Sequence, residues 1–431
     1  MNKFIKFLLI FIFTTSCSYN KNSRFWSTEK INKETQENKE EISVVEKYSN
    51  VEFNPSLKIN IRAKAIDKSF INNYDNNNGR INYDGNLKNI SKFKFSKINN
   101  FYQYEPNISF DNNNVIFFDN KGTILKFDEN SKLIWKKNYY LKSEKKLQPI
   151  LFFDNNKKIL IVADNIAKYY ALDIKSGQLL WSKNNIAPFN SQLKIYKDKF
   201  FIIDFKNTLR AFSIKDGTEI WNIKTENSLI RSQKKLSMVI IKEKIYFNNS
   251  LGDISAVDIK SGELLWQIPT QSSLIFDSFF RTSDIIADNK NLYFSNNQNQ
   301  FYSVNINNGL LNWTQKINSN LRATLIDNYL FTVSLDGYLL VIEKKLGNII
   351  RSTDIFKNFN PKKRSKIKPV GFIIGKKNIY LTTDNGRLLI IDTQSGLTTL
   401  TLKIDNDKIS RPYVLNQNLY IIKDNSIIKL N

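Results

Sequence analysis

The sequence predicts an all-β fold, namely an eight-bladed β-propeller of four-stranded antiparallel blades whose ring is closed by both termini. Three observations predict it. A unit running from a polar residue through glycine to tryptophan recurs after about residue 80, apolar runs of strand length precede its copies, and successive tryptophans are 40 to 47 residues apart. That period suits the four short strands of one blade. We therefore expect a repetitive domain over residues 80–431.

The recurring unit places glycine four residues after a polar residue and tryptophan four residues after the glycine. Its tryptophans are Trp135, Trp181, Trp221, Trp266 and Trp313, the first in a shorter copy without glycine. Two later copies keep the frame at Gly347 and Gly396 but lack the aromatic residue. Since Asp or Asn caps turns and glycine supplies a positive φ, the unit predicts a hairpin connection.

Strands are predicted by the apolar runs and their alternation. Eight runs precede the units or their remnants, from 115–118 to 419–422. Tyr302, Val304 and Ile306 alternate with polar residues, which is the period of a strand with one buried face. The eighth unit ends after two strands at 418–431, so we expect residues 85–95 to supply its outer strand and to remove a free sheet edge.

The composition excludes several kinds of active site. The 431 residues include no histidine and one cysteine. A Ser-His-Asp triad, an imidazole metal site, an internal disulfide and a zinc cluster are therefore excluded. The carboxylates fall on repeat turns, where Asp is expected for turn capping. We predict no catalytic residue, no metal ligand, no cofactor-binding residue and no bound cofactor.

The excess of basic residues does not predict a nucleic-acid partner. The formal net charge is +24, from 64 basic and 40 acidic residues. Such a charge favours phosphate binding when it is clustered. Here it is spread over blade turns as single lysines, apart from a basic loop at 361–369. For that loop two interpretations stay open, a solvated loop or a contact with anionic lipid or an acidic partner.

The first 17 residues have the pattern of an export signal. Lys3 and Lys6 precede an apolar run at 7–13, which is too short to span a bilayer, and small residues lead to Cys17. The segment resembles a bacterial lipoprotein signal, although Thr14 stands where Leu is usual. The resemblance implies that Cys17 carries the lipid and that the protein is held at the periplasmic face of the outer membrane. The alternative is a free cysteine in a signal segment.

Residues 18–79 are predicted to form a flexible polar tether between the anchor and the propeller. Over 18–50 the acidic and basic residues balance, and apolar periodicity is almost absent. Such a segment cannot bury enough apolar surface to fold. A short apolar patch at 51–61 leaves two alternatives, because it either docks on the folded domain or a partner, or belongs to the tether.

The best copy of the repeat, with Ala256, Asp258, Gly262 and Trp266, resembles the tryptophan-docking repeat of the pyrroloquinoline-quinone-type propellers. The resemblance covers about residues 80–431. Quinoprotein dehydrogenases share this repeat with the BamB family, the propeller lipoproteins of the outer-membrane β-barrel assembly machinery. A lipoprotein signal followed by about eight blades is similar to the BamB family and short for such a dehydrogenase. In both groups the tryptophans pack between blades, so the resemblance implies a structural role for them.

The resemblance to the BamB family implies a non-catalytic scaffold. Its partners would be the barrel-inserting subunit, other lipoproteins of the machinery and unfolded outer-membrane proteins. Leu229, Ile230 and Arg231 in one blade connection resemble the surface that docks on the barrel-inserting subunit, and Asp284 in the next connection resembles its acidic part. Alternatively, the apolar residues tuck under their own loops. A quinone-dependent periplasmic dehydrogenase and a ligand-binding envelope propeller remain alternative functions.

Overall fold

A computed structural model of the chain describes residues 50–65, 79–99, 101–225, 234–270, 282–296 and 298–431. Within these ranges the chain forms 32 strands and three short helices. The helices are α1 (Phe101–Tyr104), α2 (Lys142–Lys146) and α3 (Pro361–Arg364). No helix in the described ranges has the length and apolar character needed to cross a bilayer.

The strands form eight antiparallel sheets of four. The first sheet comprises β2 (Ser109–Asp111), β3 (Asn114–Phe118), β4 (Ile124–Phe127) and β5 (Leu133–Lys137). The second comprises β6 (Leu151–Asn155), β7 (Ile159–Asp164), β8 (Lys168–Asp173) and β9 (Leu179–Asn184). The third comprises β10 (Lys194–Tyr196), β11 (Lys199–Ile203), β12 (Thr208–Ser213) and β13 (Glu219–Lys224). The fourth comprises β14 (Met238–Ile241), β15 (Lys244–Asn248), β16 (Ile254–Asp258) and β17 (Leu264–Ile268).

The remaining four sheets repeat this order. The fifth comprises β18 (Ile286–Ala287), β19 (Asn291–Ser295), β20 (Gln300–Asn305) and β21 (Leu311–Lys316). The sixth comprises β22 (Thr324–Ile326), β23 (Tyr329–Val333), β24 (Tyr338–Glu343) and β25 (Ile349–Asp354). The seventh comprises β26 (Pro369–Ile374), β27 (Asn378–Thr383), β28 (Arg387–Asp392) and β29 (Thr398–Lys403). The eighth comprises β30 (Tyr413–Leu415), β31 (Asn418–Ile422), β32 (Ser426–Leu430) and β1 (Asn89–Lys94).

The predicted all-β, eight-bladed propeller of four-stranded antiparallel blades is confirmed. The first strand of each sheet lies innermost, because β2 contacts β6, β6 contacts β10 and β14 contacts β18. These inner strands are short and buried, whereas the outer strands β9 and β13 alternate between exposed and partly buried residues. The inner strands therefore line a common axis, and the outer strands face solvent.

The eighth sheet combines strands from both ends of the propeller. β1 lies within the segment expected to supply the outer strand and pairs antiparallel with β32, from Asn89 opposite Leu430 to Lys94 opposite Ser426. Phe93 on β1 is fully buried and its ring lies 6.2 Å from that of Tyr420 and 5.7 Å from that of Phe127. One side chain therefore joins the eighth blade to the first.

The tryptophans pack from one blade onto the turn of the next. Trp266 Nε1 donates to the carbonyl oxygen of Ile306, 3.2 Å away in the next blade. Gly309 follows in that turn with a φ of +74°, and a Cβ added there would lie 2.8 Å from Trp266 Cε3. Only glycine fits both the backbone conformation and the close approach of the ring. The same tryptophan-on-glycine contact recurs for Trp135 and Gly177, Trp181 and Gly217, Trp221 and Gly262, and Trp313 and Gly347.

Arg351 occupies this position in the sixth blade. In the sheet it stands opposite Val341, as Trp266 stands opposite Ala256. It is fully buried, and its guanidinium donates to the carbonyl oxygens of Leu57, at 3.1 Å, and of Gln394. Burial lowers the pKa of Arg351 to about 10. A buried cation that donates to backbone carbonyls through its terminal nitrogens thus replaces an indole.

Residues 50–65, within the predicted tether, lie on the sixth and seventh blades. Phe53 and Ser352 form an antiparallel bridge with backbone hydrogen bonds of 2.9 Å in both directions. Ile59 is 3% exposed and belongs to the core cluster of these blades. Of the alternatives for the patch at 51–61, docking on the folded domain is therefore the one observed.

Helix α3 begins the basic segment that the sequence predicts as a loop at 361–369. Arg364 Nη1 lies 2.5 Å from Asp354 Oδ2, which ties the end of the helix to β25. The following residues then lead into β26 at Pro369. The segment is therefore a short helix and a turn rather than a continuous loop.

Asp164 caps the turn after β7 from a fully buried position. Its Oδ1 accepts the backbone N–H groups of Ile166, at 2.9 Å, and Lys168, at 2.8 Å, and Tyr140 donates to Oδ2 at 2.5 Å. Burial outweighs these hydrogen bonds and raises the pKa of Asp164 to about 6.

A raised carboxyl pKa makes the folded protein more stable as the pH falls from about 6 toward the ordinary value of about 4, because the folded state takes up the proton first. We therefore expect the wild type to gain stability over the Asp164→Asn variant when the pH is lowered from 7 to 5. The quantity compared is the difference between their free energies of unfolding. Urea unfolding followed by circular dichroism at both pH values measures this difference. A difference that does not change with pH would contradict the assignment.

Candidate functional site

The residues predicted to form sites are only partly within the described chain. Cys17 and the docking residues Leu229, Ile230 and Arg231 lie outside the described residues. Asp284 is described, two residues before the innermost strand β18. It is partly buried and faces the axis of the propeller, because it lines both chambers of the axial channel.

We name the two faces of the ring by their connections. The connection face carries the segments that join the outer strand of one blade to the inner strand of the next, such as 185–193 and 404–412. The hairpin face carries the turns between the first and second strands of each blade, such as 156–158 and 197–198. The predicted docking residues all belong to connection segments.

Four charged side chains from different blades form the waist of the channel. Lys235, Asp284, Arg322 and Arg411 line both the hairpin-face chamber and the connection-face chamber. Each stands two or three residues before an innermost strand, on the fourth, fifth, sixth and eighth blades. Burial acts against the charge of Asp284, but Arg322, Lys234, Lys235 and Arg411 hold the pKa of its carboxyl below the usual value. Four cations thus act on one carboxylate.

The hairpin-face chamber is the larger, with a volume of about 470 Å³. Its wall includes residues of the inner strands β2, β6 and β10, among them Lys194 and Asp154. Burial lowers the pKa of Lys194 to about 8, with Asp154 acting in the opposite direction. Burial likewise lowers the pKa of Arg322 to about 9. The basic side chains Lys194 and Arg322 in the chamber wall are therefore poorly hydrated.

The connection-face chamber is small, about 70 Å³, and lies beneath the segment that follows β1. Phe101 of α1 is 1% exposed and packs into the core. Lys408 Nζ lies 2.7 Å from Glu105 Oε1, and Lys235 Nζ donates to the Glu105 carbonyl oxygen at 3.1 Å. The segment that links β1 to β2 is thereby fixed across the connection face of the channel.

The described residues do not fit a quinone cofactor with its divalent metal. Among them no group of three or more His, Cys, Asp or Glu side chains is placed to hold a metal ion. The five described tryptophans donate to carbonyl oxygens of the next blade and do not line either chamber. The described part of the channel therefore has cationic side chains, but neither an indole that could stack on a quinone nor a carboxylate cage that could hold a metal ion.

The sequence did not single out Lys194, Lys235, Arg322 and Arg411. Each is an isolated basic residue in a chain that contains 64 of them. One feature of the sequence could have identified the four waist residues. Each of Lys235, Asp284, Arg322 and Arg411 lies two or three residues before the inner strand of its blade. Aligning the repeats on the inner strands, rather than on the tryptophans, brings these charges together.

A family model described as outer membrane protein assembly factor BamB matches residues 120–353, more than half of the chain. No curated protein sequence matches the chain.

Solved structures show the same fold at low sequence identity. BamB from Moraxella catarrhalis is similar with a TM-score of 0.65 and 14% identity, over 80% of this chain and 99% of that one. Quinohemoprotein alcohol dehydrogenase from Comamonas testosteroni has a TM-score of 0.62 and 10% identity, over 81% and 78%. The C-terminal WD40 domain of Sif2 has a TM-score of 0.59 and 12% identity, over 82% and 99%. At these identities the likeness concerns the fold alone.

Proposed function

This chain belongs to the family of the outer membrane protein assembly factor BamB, and from that premise we propose that it is a non-catalytic scaffold of the outer-membrane β-barrel assembly complex. In this proposal the lipid on Cys17 holds it at the periplasmic face of the outer membrane. It docks on the barrel-inserting subunit, adjoins the other lipoproteins of the machinery and aids insertion of unfolded outer-membrane proteins. The family match over residues 120–353 is the observation that carries the proposal.

The proposed docking surface is formed by two neighbouring blade connections. The connection holding Leu229, Ile230 and Arg231 also contains Lys234, whose Nζ donates to the Thr282 carbonyl oxygen at 2.7 Å. Thr282 lies at the end of the next connection, so the two segments meet at their bases on the same face. An apolar pair beside arginine has the composition of a binding hot spot. Asp284 lies at the channel waist, and Lys234 is among the cations that favour its charged form.

The direct test measures binding to the purified periplasmic domains of the barrel-inserting subunit by biolayer interferometry. The triple variant Leu229→Ala, Ile230→Ala, Arg231→Ala should bind at least about 30-fold more weakly, since loss of one hot spot costs about 2 kcal/mol or more. Ile186→Ala is the matched control, because Ile186 is 82% exposed on the preceding blade connection. It should bind like the wild type.

Unchanged binding of the triple variant, with circular dichroism identical to the wild type, would refute the docking assignment. Weakened binding of both the triple variant and the Ile186 control would also refute it, because the effect would then not be specific to this connection.

A quinone-dependent dehydrogenase is the second candidate, favoured by the fold shared with the quinohemoprotein alcohol dehydrogenase. The cationic channel suits carboxylates, but the described residues lack a carboxylate cage for calcium. Reconstitution with pyrroloquinoline quinone and calcium, followed by an absorption spectrum and a dye-linked assay, distinguishes the two functions. We expect no turnover, and saturable turnover would favour the dehydrogenase.

A further inference from the structure

The hairpin-face chamber has more positive charge than its own acidic groups balance. Apart from Lys197, which pairs with Glu243 outside the chamber wall at 2.6 Å, basic side chains in the wall outnumber acidic ones by five to two. These basic residues are Lys157, Lys194, Lys235, Arg322 and Arg411, and the acidic ones are Asp154 and Asp284. Charges enclosed by protein are screened less than surface charges. The chamber therefore favours an anion.

Lys194 is the most informative of these residues. It begins the inner strand β10, its side chain is 8% exposed and lines the chamber, and Asp154 is the carboxylate that favours its charge. No hydrogen bond joins its ammonium group to the described residues, and a cation with so little access to water is costly. The free energy of that burial is recovered if an oxyanion in the chamber accepts its protons.

Further donors converge on the same space from other parts of the ring. Gln192 accepts a hydrogen bond through Oε1 from the backbone N–H of Met238, at 3.4 Å, and its amide nitrogen donates to no residue in the described ranges. Arg322 and Arg411, on the sixth and eighth blades, reach the chamber from the waist. A ligand that contacts Lys194 and these guanidinium groups must carry acceptors at more than one point.

We propose that the hairpin-face chamber is a binding site for a compact oxyanion that carries at least two carboxylate or phosphate groups. The volume of about 470 Å³ lies within the range of small-molecule pockets. Entry is from the hairpin face, because the segment around Glu105 crosses the connection face. The chamber opens on the face opposite the proposed docking connections, and Asp284 at the waist belongs to both.

The experiment uses the full chain and two probes, citrate and pyrophosphate, with acetate as the monovalent comparison. Isothermal titration calorimetry at pH 7 should show saturable binding of citrate, pyrophosphate or both, and a rise in melting temperature with ligand concentration. The probe that binds identifies the group as carboxylate or phosphate. Acetate should bind at least tenfold more weakly.

Variants then place the ligand in the chamber. Lys194→Met should weaken binding at least tenfold without loss of folding, because it removes a buried charge. Lys194→Gln serves as a second variant that keeps a polar side chain and should also bind weakly. Lys158→Met is the matched control, since Lys158 is exposed on the hairpin face and lines neither chamber. The control should bind within about twofold of the wild type.

Two results would overturn the proposal. One is the absence of saturable binding of both probes at concentrations up to about 10 mM. That concentration is well above the dissociation constant expected for several charge-assisted contacts. The other is equal affinity of the wild type and both Lys194 variants, which would place any bound anion elsewhere.

Discussion

Deletion of residues 81–96 is expected to destabilise the whole propeller rather than one blade. The segment contains β1, the outer strand of the eighth sheet, and the fully buried side chains of Ile81, Tyr83 and Phe93. Truncating one large buried aromatic side chain typically costs about 3–5 kcal/mol. Losing two of them with a strand approaches the net stability of about 5–15 kcal/mol that is usual for a domain. We expect a cooperative loss of structure at temperatures where the wild type is folded.

Thermal unfolding followed by circular dichroism measures this effect. Deletion of residues 18–49 is the control and should leave the melting temperature unchanged, since it retains the docked segment 50–65. Phe93→Ala gives a graded version and should lower the free energy of unfolding by about 3–5 kcal/mol. If the variant lacking 81–96 melted at the wild-type temperature, closure of the ring by β1 would not stabilise the fold.

Lys126→Met is expected to produce the second large effect. Lys126 is 3% exposed, lies on β4, and its Nζ is 2.6 Å from Asp111 Oδ2 and 2.9 Å from the Ile174 carbonyl oxygen in the second blade. Asp111 is 5% exposed. Removing the cation leaves a buried carboxylate without its partner, which costs about 3–5 kcal/mol. Guanidinium chloride unfolding should show that loss.

A double variant separates the charge from the packing. Lys126→Met with Asp111→Asn removes both charges, so most of the lost stability should return. Lys136→Met on β5, where the side chain is exposed, is the control and should change the stability by less than about 0.5 kcal/mol. Equal losses in the single and double variants would mean that Lys126 acts through shape and not through charge.

The repeat made most of the architecture predictable. From local sequence alone, the spacing of tryptophans such as Trp266 indicated the length of one blade. Gly262 indicated a turn, and the alternation around Tyr302 indicated a strand with one buried face. The donor strand followed from counting the strands at 418–431. The structure adds β30 ahead of them, so the eighth blade lacks only its outer strand until β1 joins.

The buried charges could not be predicted in this way. Lys126 and Arg351 stand at repeat positions where other blades have Ala and Trp, so the pattern marks them as departures without saying what satisfies them. Lys126 contacts the second blade, and Arg351 contacts Leu57, far away in sequence. Such contacts depend on the assembled ring, not on local sequence.

The charged channel could not be predicted from the sequence for the same reason. Lys194, Arg322 and Arg411 come from three blades and meet only because inner strands converge on one axis. The sequence showed them as solitary lysines and arginines in a basic chain. Asp284 was singled out through family resemblance as part of a docking surface, and its place among cations at the channel waist was not foreseen.

Affinity purification from detergent-solubilised membranes, with mass-spectrometric identification of the captured proteins, tests the proposed scaffold function most directly. The tagged full chain should enrich the barrel-inserting subunit and other components of the assembly complex. The triple variant at Leu229, Ile230 and Arg231 should lose them, whereas Ile186→Ala should retain them. Capture of no assembly component by the wild type would contradict the account.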